Sequence, residues 1–362
     1  MADATDSKSV GGNPMRVRLS PRALAMMYLL LLATGQLAAA QQPSLRGTVV
    51  SAETGYPLGF SIVILHPNLG RQFTDAAGAF ALSGTQAGTY LLSVRQIGYV
   101  PLDTQVVITG DSVTIVRIAL RRLAIELPPV TIATQQCTRP GRPDSSDAAL
   151  LAVFDQLQEN ARRFELLADS YPFHYELELA LREVNQRGDT SRPEVRRLRF
   201  SSDDNHPYAE GRVVEPAWGP WGSPDNTLVI HSADLLDLGN DDFIANHCFR
   251  LGGRDTIGGE TLVRIDFEPA VRIRSADMAG AAYLDSITYE LRYTETSLTQ
   301  PERSALVSVR SMNFRTRFRN IARGVPLQDS LTVVTTYRYG RPKKIDTQRT
   351  VEVRFSRRPP PP

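Results

Sequence analysis

The sequence predicts a mainly β protein: an N-terminal Greek-key-type β-sandwich, followed by an α+β domain of one helix on a curved antiparallel sheet. Short β-like runs separated by turn residues fill 45–120, and one segment, 147–168, has helical periodicity. From 172 onward, apolar and polar residues alternate with the period of two that is typical of strands. A chain of 362 residues has room for about two such domains.

The composition is that of a globular protein whose charges nearly balance. Hydrophobic residues make up 42% of the chain and charged residues 22%, so that each domain can bury a core. Lys and Arg number 41 against 39 Asp and Glu, a formal net charge of +2. This balance gives no whole-protein attraction to nucleic acid or to an anionic membrane, and no nucleic-acid partner is expected.

The N-terminus carries the pattern of an export signal. Basic residues precede an apolar run and small residues follow it: Arg16, Arg18 and Arg22, then 23–33, then 38–40. This order is typical of a secretory signal peptide, and the apolar run is shorter than the roughly 20 residues of a membrane span. We predict cleavage after Ala40, with an uncleaved anchor as the alternative. Because 1–14 is polar, Met15 is a second candidate start.

The chain is predicted to divide at a proline-rich joint. Pro140 and Pro143 flank Gly141, a combination that cannot continue a helix or a central strand. The predicted segments are a signal peptide with a polar leader (1–40), a β-sandwich (41–125), a linker (126–146), a helix-plus-sheet domain (147–356) and a Pro-rich tail (357–362). We expect the exported protein to lie in the periplasm or to associate with the outer membrane.

Six short runs predict the strands of the sandwich. They are 45–50, 60–65, 79–82, 90–96, 105–109 and 114–120, with Gly, Pro, Asn and Asp between them. Short strands with closely spaced turns favour an antiparallel sandwich. The residues expected in its core are Ile62, Ile64, Leu91, Val94, Ile115 and Ile118.

Several motifs in this region resemble the carboxypeptidase regulatory-like domain, a transthyretin-like β-sandwich. They are LRGTV at 45–49, GYPL at 55–58, TDAAGAF at 74–80, GTYLLSV at 88–94 and IGY at 97–99. The sequence departs from the family at Gly59-Phe60-Ser61, where the family usually has small residues at the start of the second strand. The resemblance implies a folding or interaction module without catalytic residues, of the kind found N-terminal in TonB-dependent outer-membrane receptors. The arm 127–132 resembles the connector that follows it there.

One amphipathic helix is predicted over 147–168. Its apolar stripe consists of Leu150, Phe154, Leu157, Ala161, Phe164 and Ala168. Ser145 or Ser146 is expected to cap its start, where Asp147 also favours the positive end of the dipole. Opposite the stripe lie Asp155, Gln158, Glu159 and Arg162. We expect the helix to cover a core; binding to a partner is the alternative.

Alternation from 172 onward predicts an antiparallel sheet covered on one face. The alternating segments are 174–181, 287–294, 306–319, 331–339 and 351–355. A helix over a strongly curved sheet resembles the lipoprotein-carrier fold, an incomplete barrel, and RIDFEP at 264–269 with Gly280 and YLD at 283–285 is similar to strands of that group. The resemblance implies a concave apolar face.

No catalytic set is evident. A zinc carboxypeptidase needs about three protein ligands, typically two His and a Glu. The five histidines, His66, His174, His206, His231 and His247, form neither a His-x-x-Glu nor a His-Glu-x-x-His motif. A Gly-x-Ser-x-Gly elbow is also missing, and Gly252-Gly253 and Gly258-Gly259 are assigned to hairpin turns. We therefore predict no catalytic, metal-binding or cofactor-binding residue and no cofactor.

Two pairs of residues are candidates for special roles. Cys137 and Cys248 are the only cysteines, and in an oxidising compartment an even count favours one disulfide; two unpaired buried thiols are the alternative. Trp218 and Trp221 lie in a Gly/Pro loop and could stack on a sugar or an acyl chain, or else anchor the loop.

A basic stripe, Arg315, Arg317, Arg319 and Arg323, is expected to be a solvated face, with anionic lipid or polysaccharide binding as the alternative.

The leading hypothesis is a non-catalytic binding protein of the cell envelope, whose concave sheet face holds a lipid, an acyl chain or a protein segment. The runner-up is a structural adaptor that docks on an outer-membrane or periplasmic partner. A carboxypeptidase-type hydrolase is third. Any membrane contact is expected to be peripheral.

Overall fold

The structure is a computed structural model. It describes residues 43–67, 69–109, 112–126, 136–204, 206–218 and 224–357. The predicted signal peptide, the arm 127–132, Trp221 and the end of the tail lie outside these ranges. Among the helices within them, none is both long enough and apolar enough to cross a membrane.

The N-terminal part of the described chain is a β-sandwich of two sheets. Its strands are β1 (Pro43–Ser51), β2 (Ile62–His66), β3 (Gly70–Phe73), β4 (Ala79–Ser83), β5 (Gly88–Arg95), β6 (Leu102–Ile108) and β7 (Thr114–Leu120). One sheet has the order β4-β1-β7 and the other β3-β2-β5-β6. The pairing is antiparallel except that β1 and β7 run parallel, which corrects the expectation of an entirely antiparallel sandwich. The polar strand β3 was also missed by the sequence pattern.

Two of the predicted core residues of the sandwich are exposed. Leu91 is 43% and Ile115 80% exposed, whereas Val94 and Ile118 are buried. Leu91 was predicted to share the core with Val94, and Ile115 with Ile118, three positions away in the same strand. Because side chains alternate between the faces of a strand, positions three apart point to opposite sides. The predictions of Leu91 and Ile115 as core residues were therefore wrong, because they ignored strand parity.

The second part begins with α1 (Ala148–Ser170), close to its predicted bounds. Its N-cap is Asp147, whose Oδ1 accepts a hydrogen bond from the Leu150 amide at 3.0 Å. The capping role predicted for Ser145 or Ser146 was therefore wrong. Ser146 lies in a preceding turn, where its own amide donates to Asp144 Oδ1. Asp147 is thus the residue from which the helix starts.

A nine-stranded sheet follows, antiparallel throughout. Its strands are β8 (Phe173–Val184), β9 (Glu194–Ser201), β12 (His247–Ile257), β13 (Glu260–Pro269), β14 (Asp277–Asp285), β15 (Leu291–Thr299), β16 (Val309–Ala322), β17 (Val325–Tyr337) and β18 (Lys343–Phe355). The order is β12 to β18, then β8 and β9. Between β9 and β12 lie the separate hairpin β10 (Val214–Trp218) and β11 (Pro224–Ile230), and the short helix α2 (Asp241–Asn246). The predicted mainly β fold, with one main helix on an antiparallel sheet, is confirmed.

Two details of the predicted sheet were wrong. The segment 287–290 is a turn before β15, in which Asp285 Oδ1 accepts hydrogen bonds from the amides of Ile287 and Thr288. An aspartate that bonds its own backbone overrides an alternating pattern. Gly252 and Gly253 lie inside β12, where the pairing with β13 shifts register, and not in a hairpin turn.

Part of the side of α1 opposite its apolar stripe is buried, although Arg162 on that side is exposed. Gln158 is 6% and Glu159 3% exposed, and Arg163 is fully buried. This side packs against the sandwich: the Gly98 amide donates to Gln156 Oε1 at 2.8 Å. The helix therefore lies between the sandwich on one side and the nine-stranded sheet on the other.

Arg163 connects all three of these elements. Its Nε donates to the Gly324 carbonyl at 2.8 Å and its Nη2 to the Arg323 carbonyl at 3.1 Å, both in the turn between β16 and β17. Its Nη1 donates to Gln96 Oε1 of the sandwich at 3.2 Å. The guanidinium also lies 5.5 Å from the centroid of the Phe73 ring. A buried charge of this kind requires hydrogen bonds on every side.

We expect Arg163→Ala to lower the free energy of unfolding by about 3–5 kcal/mol, because it leaves two buried carbonyls without donors and Glu159 without its nearby cation. The matched control is Arg162→Ala, since the neighbouring Arg162 side chain is exposed; its effect should stay within about 0.5 kcal/mol. Urea unfolding followed by circular dichroism measures both. Equal losses in the two variants would contradict this role of Arg163.

Candidate ligand-binding cavity

A cavity of about 600 Å³ lies on the inner face of the sheet. Its floor is formed by β8, β9, β16, β17 and β18, and its roof by 230–237, the segment that follows β11. The residues that line it are Leu179, Ala180, Leu181, Glu194, Arg196, Asp204, His206, Ile230, His231, Ser232, Asp234, Asp237, Met312, Phe314, Gln328, Leu331, Val333, Asp346, Thr347 and Gln348. We call it the main cavity.

Strand alternation makes the floor of the main cavity largely apolar. Phe314 pairs with Val333 across β16 and β17, and Leu331 pairs with Gln348 across β17 and β18. Directly paired residues share a face of the sheet, so these side chains all lie on the inner face. Leu181 extends the surface onto β8. The floor can thus bury the apolar part of a ligand.

A second cavity of about 250 Å³, the side cavity, continues from the first. The two share Asp204, Asp234, Gln328 and Gln348 among their lining residues. The other walls of the side cavity are mainly aromatic and aliphatic: Phe164, Tyr175, Leu177, Phe200, Leu235, Leu236, Phe318, Pro326 and Leu327. Because Phe164 belongs to α1, the apolar surface extends from the main cavity to the helix.

Two neighbouring carboxylates form part of the roof. Asp234 Oδ1 accepts hydrogen bonds from the amides of Leu236 and Asp237, at 2.7 and 3.0 Å, as expected for a residue that starts a turn. Asp237 accepts from the amides of Tyr208 and Asp234, both at 3.0 Å. Burial, together with the nearby Asp234 carboxylate, raises the pKa of Asp237 well above its ordinary value.

A third carboxylate, Asp346, lies on the floor. It is half-buried, and its register partners are Val333 on β17 and Leu181 on β8. Within the described residues its side chain forms no hydrogen bond and no ion pair of 4.0 Å or less. Burial raises the pKa of Asp346, and the charge of Lys344 opposes that shift. Asp346 therefore places an unpaired carboxyl beside the apolar side chains of Val333 and Leu181.

The basic groups of the main cavity are mostly paired. Arg196 forms an ion pair with Glu194 on the same strand. The rings of His206 and His231 stack with their centroids 5.6 Å apart, and His231 Nε2 lies 3.0 Å from Glu215 Oε1. These contacts leave the walls with more unpaired carboxylates than unpaired cations.

A buried polar network lies behind the roof. The Tyr208 hydroxyl donates to Asp277 Oδ2 at 2.7 Å, and His247 Nε2 lies 3.5 Å from Asp277 Oδ1. The two ring nitrogens of His247 lie 2.8 and 3.0 Å from the carbonyls of Phe243 and Met278. Burial, followed by the hydrogen bond to Asp277, raises the pKa of Tyr208. Asp277 and His247 are fully buried, so that this network supports α2 and β14 instead of offering a reactive group to a ligand.

The two cysteines predicted from the sequence to pair do not line the main or the side cavity. Cys137 and Cys248 are joined, with 2.08 Å between their Sγ atoms, and so connect the segment before α1 to β12. Trp218 ends β10, but its side chain, like the whole of Trp221, lies outside what the structure describes. Their role as ligand-binding residues stays a prediction.

The predicted basic stripe lies on the outer face of the sheet. Arg315 forms an ion pair with Glu295, with 2.6 Å between Nη2 and Oε1, and Arg319 forms one with Asp329 at 2.8 Å. The Arg323 carbonyl is a partner of Arg163. These pairs fit the interpretation of the stripe as a solvated surface.

Within the described ranges, no group of three or more His, Cys, Asp or Glu side chains is placed to hold a metal ion. The carboxylates of the cavity were not singled out by sequence reasoning. The signal that could have found Asp346 was strand alternation. Asp346 and Gln348 are two residues apart and therefore lie on the same side of β18, the inner face of the sheet, where the other residues are mostly apolar. A charged residue at an inward position is the feature that could have indicated a site.

Comparison with known proteins identifies the first domain. Residues 45–132 match the family model of the CarboxypepD_reg-like domain, which confirms the resemblance seen in the sequence. No curated protein matches the chain.

Several solved structures are similar to part of the chain. A DUF1329 family protein from Desulfovibrio piger has 10% identity and a TM-score of 0.32, with 57% of this chain and 93% of that one covered. A LolA superfamily protein from Nitrosomonas europaea has 9% identity and a TM-score of 0.30, with 58% and 94% covered. A domain described as an outer membrane lipoprotein-sorting protein, from Vibrio parahaemolyticus, has 11% identity and a TM-score of 0.32, with 56% and 93% covered. Such distant likenesses do not assign a function to this chain.

The cysteine pair gives a direct test. We expect the protein, purified without reductant from an oxidising compartment, to resist thiol alkylation until it is reduced, and then to take up two alkyl groups, as measured by intact mass. Because the cysteines are 111 residues apart, reduction should also lower the free energy of unfolding by up to about 4–5 kcal/mol under the chain-entropy model. Two alkylated thiols before reduction would contradict the pairing.

Asp346 makes the stability depend on pH in a predictable direction. Its raised pKa means that the folded state binds the proton more tightly than the unfolded state, so this carboxyl lowers stability as pH rises above the ordinary value of 3.8. We expect Asp346→Asn to remove that loss, so that the variant gains stability relative to the wild type as pH increases from about 4 to 7. Urea unfolding across this range measures the difference; a constant difference would contradict it.

Proposed function

We propose that this chain is an exported, non-catalytic binding protein of the cell envelope whose inner sheet face holds an acyl chain of a lipid. The observation that carries the proposal is the apolar part of the lining of two adjoining cavities, the main and the side cavity, of about 600 and 250 Å³. Volumes of this size are typical of small-molecule sites. Each methylene group buried there contributes about 0.8 kcal/mol, so that a single chain of moderate length provides ample binding energy.

The location in the envelope rests on the N-terminal sequence. Arg16, Arg18 and Arg22, the apolar run 23–33 and the small residues before Ala40 support export with cleavage after Ala40. A disulfide between Cys137 and Cys248 is also suited to an oxidising compartment. We place the mature protein in the periplasm or in association with the outer membrane, with the sandwich at 41–125, the linker at 126–146 and the binding domain at 147–356.

The contacts of the sandwich favour a binding protein over a structural adaptor. Gly98 and Gln96 of the sandwich form hydrogen bonds with α1, and Arg71 Nη2 donates to the Arg162 carbonyl at 2.8 Å. These surfaces of the sandwich are therefore occupied within the chain itself. In this chain they support the helix that covers the apolar core of the sheet, which is the role expected of a folding module.

A tryptophan substitution in the main cavity tests the proposal. Leu181→Trp places a large side chain into the main cavity and should reduce the lipid that co-purifies with the mature protein by at least about tenfold, since it removes the volume an acyl chain needs. The control is Arg182→Trp, because the next residue of β8 is exposed and points to the other face. Native mass spectrometry of protein from its own envelope measures the bound lipid.

The outcomes separate the hypotheses. Lipid bound to the wild type and to Arg182→Trp, but not to Leu181→Trp, supports the site. A protein segment bound in the same manner would replace the acyl chain as the occupant. Wild-type protein without any bound molecule, and unable to bind an added fatty acyl compound, would contradict the proposal.

A further inference from the structure

We propose that the ligand of the main cavity is a cationic amphiphile, a single alkyl chain with an ammonium-type head group that pairs with Asp346 and Asp234. This inference rests on the proposed function, because it specifies the chemistry of the ligand held in that same site. It follows from the charges of the cavity walls and not from their apolar surface.

The walls carry an excess of negative charge. The carboxylates that line the main cavity are Glu194, Asp204, Asp234, Asp237 and Asp346. The only arginine among the lining residues, Arg196, is paired with Glu194. The lining histidines are His206 and His231, and His231 is in contact with Glu215. The lining residues therefore provide no unpaired permanent cation for the four aspartates.

Asp346 is the carboxylate of the main cavity that has no partner among the described residues. It lies on the floor beside Val333 and Leu181, and no described side chain donates to it or forms an ion pair with it. Lys344 is the cation whose charge acts on Asp346, but its Nζ lies 3.9 Å from Glu183 Oε1 and is paired there. A half-buried carboxylate without a donor is unfavourable, and an ammonium head would supply both a charge and N–H donors.

Asp234 provides a second acceptor on the roof. Its Oδ1 receives two backbone amides, but its Oδ2 accepts no hydrogen bond from the described residues. The oxygens of Asp237 are both occupied, by the amides of Tyr208 and Asp234. Asp234 is thus the carboxylate of the roof with an oxygen left for a ligand.

The same walls disfavour an anionic head. A carboxylate or phosphate in the main cavity would lose water and face several carboxylates without a cation to offset them, and like charges brought together cost binding energy. An uncharged head group would lose less binding energy, because it meets no like-charge repulsion and gives up its water more easily. The expected order of affinity is therefore ammonium, then alcohol, then carboxylate, for one and the same alkyl chain.

Three probes with equal chains test this order: dodecylammonium chloride, 1-dodecanol and sodium dodecanoate, each titrated calorimetrically below its aggregation limit into the full mature protein at pH 7. We expect dodecylammonium to bind about tenfold more tightly than dodecanol, and dodecanoate more weakly than dodecanol. Asp346→Asn should remove most of the preference for dodecylammonium over dodecanol, measured as the ratio of the two affinities.

The control is Asp169→Asn, which changes the net charge equally at an exposed position near the end of α1 and should keep the preference. Asp234→Asn is the second variant, because its amide oxygen can still accept both backbone hydrogens; it should also weaken dodecylammonium selectively, even where Asp346→Asn fails to fold. If no probe binds, the proposed function fails. If the probes bind equally, or dodecanoate binds best, the site remains and the inference of a cationic ligand is overturned.

Discussion

The burial of α1 on both sides is the constraint on which the rest of the structure depends. A helix with a polar side normally turns that side to solvent, yet here Glu159 and Arg163 are covered by the sandwich. Arg163 tolerates burial because the Gly324 and Arg323 carbonyls and Gln96 accept its hydrogens. One arginine thus fixes the distance between the sandwich, the helix and the β16–β17 turn.

The position of the helix decides where a cavity can form. α1 contacts β12, β13 and β17, so its apolar stripe fills the inner face of the sheet on that side. Over β18, β8 and β9 the helix contributes Phe164, whose ring lies 5.9 Å from that of Phe173 on β8, and the segment 230–237 with Asp204 and His206 covers the rest of the main cavity. The space between this roof and the floor is the main cavity. The sandwich therefore acts on the site indirectly, by holding the helix against the inner face of the sheet.

Much of this architecture could be predicted from the sequence, because it depends on local periodicity. The helix bounds and the alternation of β8, β16 and β17 follow from residues that are neighbours in the chain. The contacts on this side of the helix could not be predicted, since Gly98 and Gln96, the partners of Gln156 and Arg163, are brought to it by tertiary packing. Asp346 was missed for a related reason: its strand is short of apolar residues, and only the register with Val333 shows which face it occupies.

The polar residues of β18 are also the strongest argument that the cavity is a site and not a packing defect. A fold selected only for stability would place apolar side chains at Asp346 and Gln348, since both point to the inner face of the sheet, and would close the space with them. Instead, the chain keeps a carboxyl whose pKa is raised by burial and that has no partner among the described residues. Such a group lowers stability at neutral pH. Its presence on an apolar floor is explained when a ligand with a donor or a positive charge completes the surface.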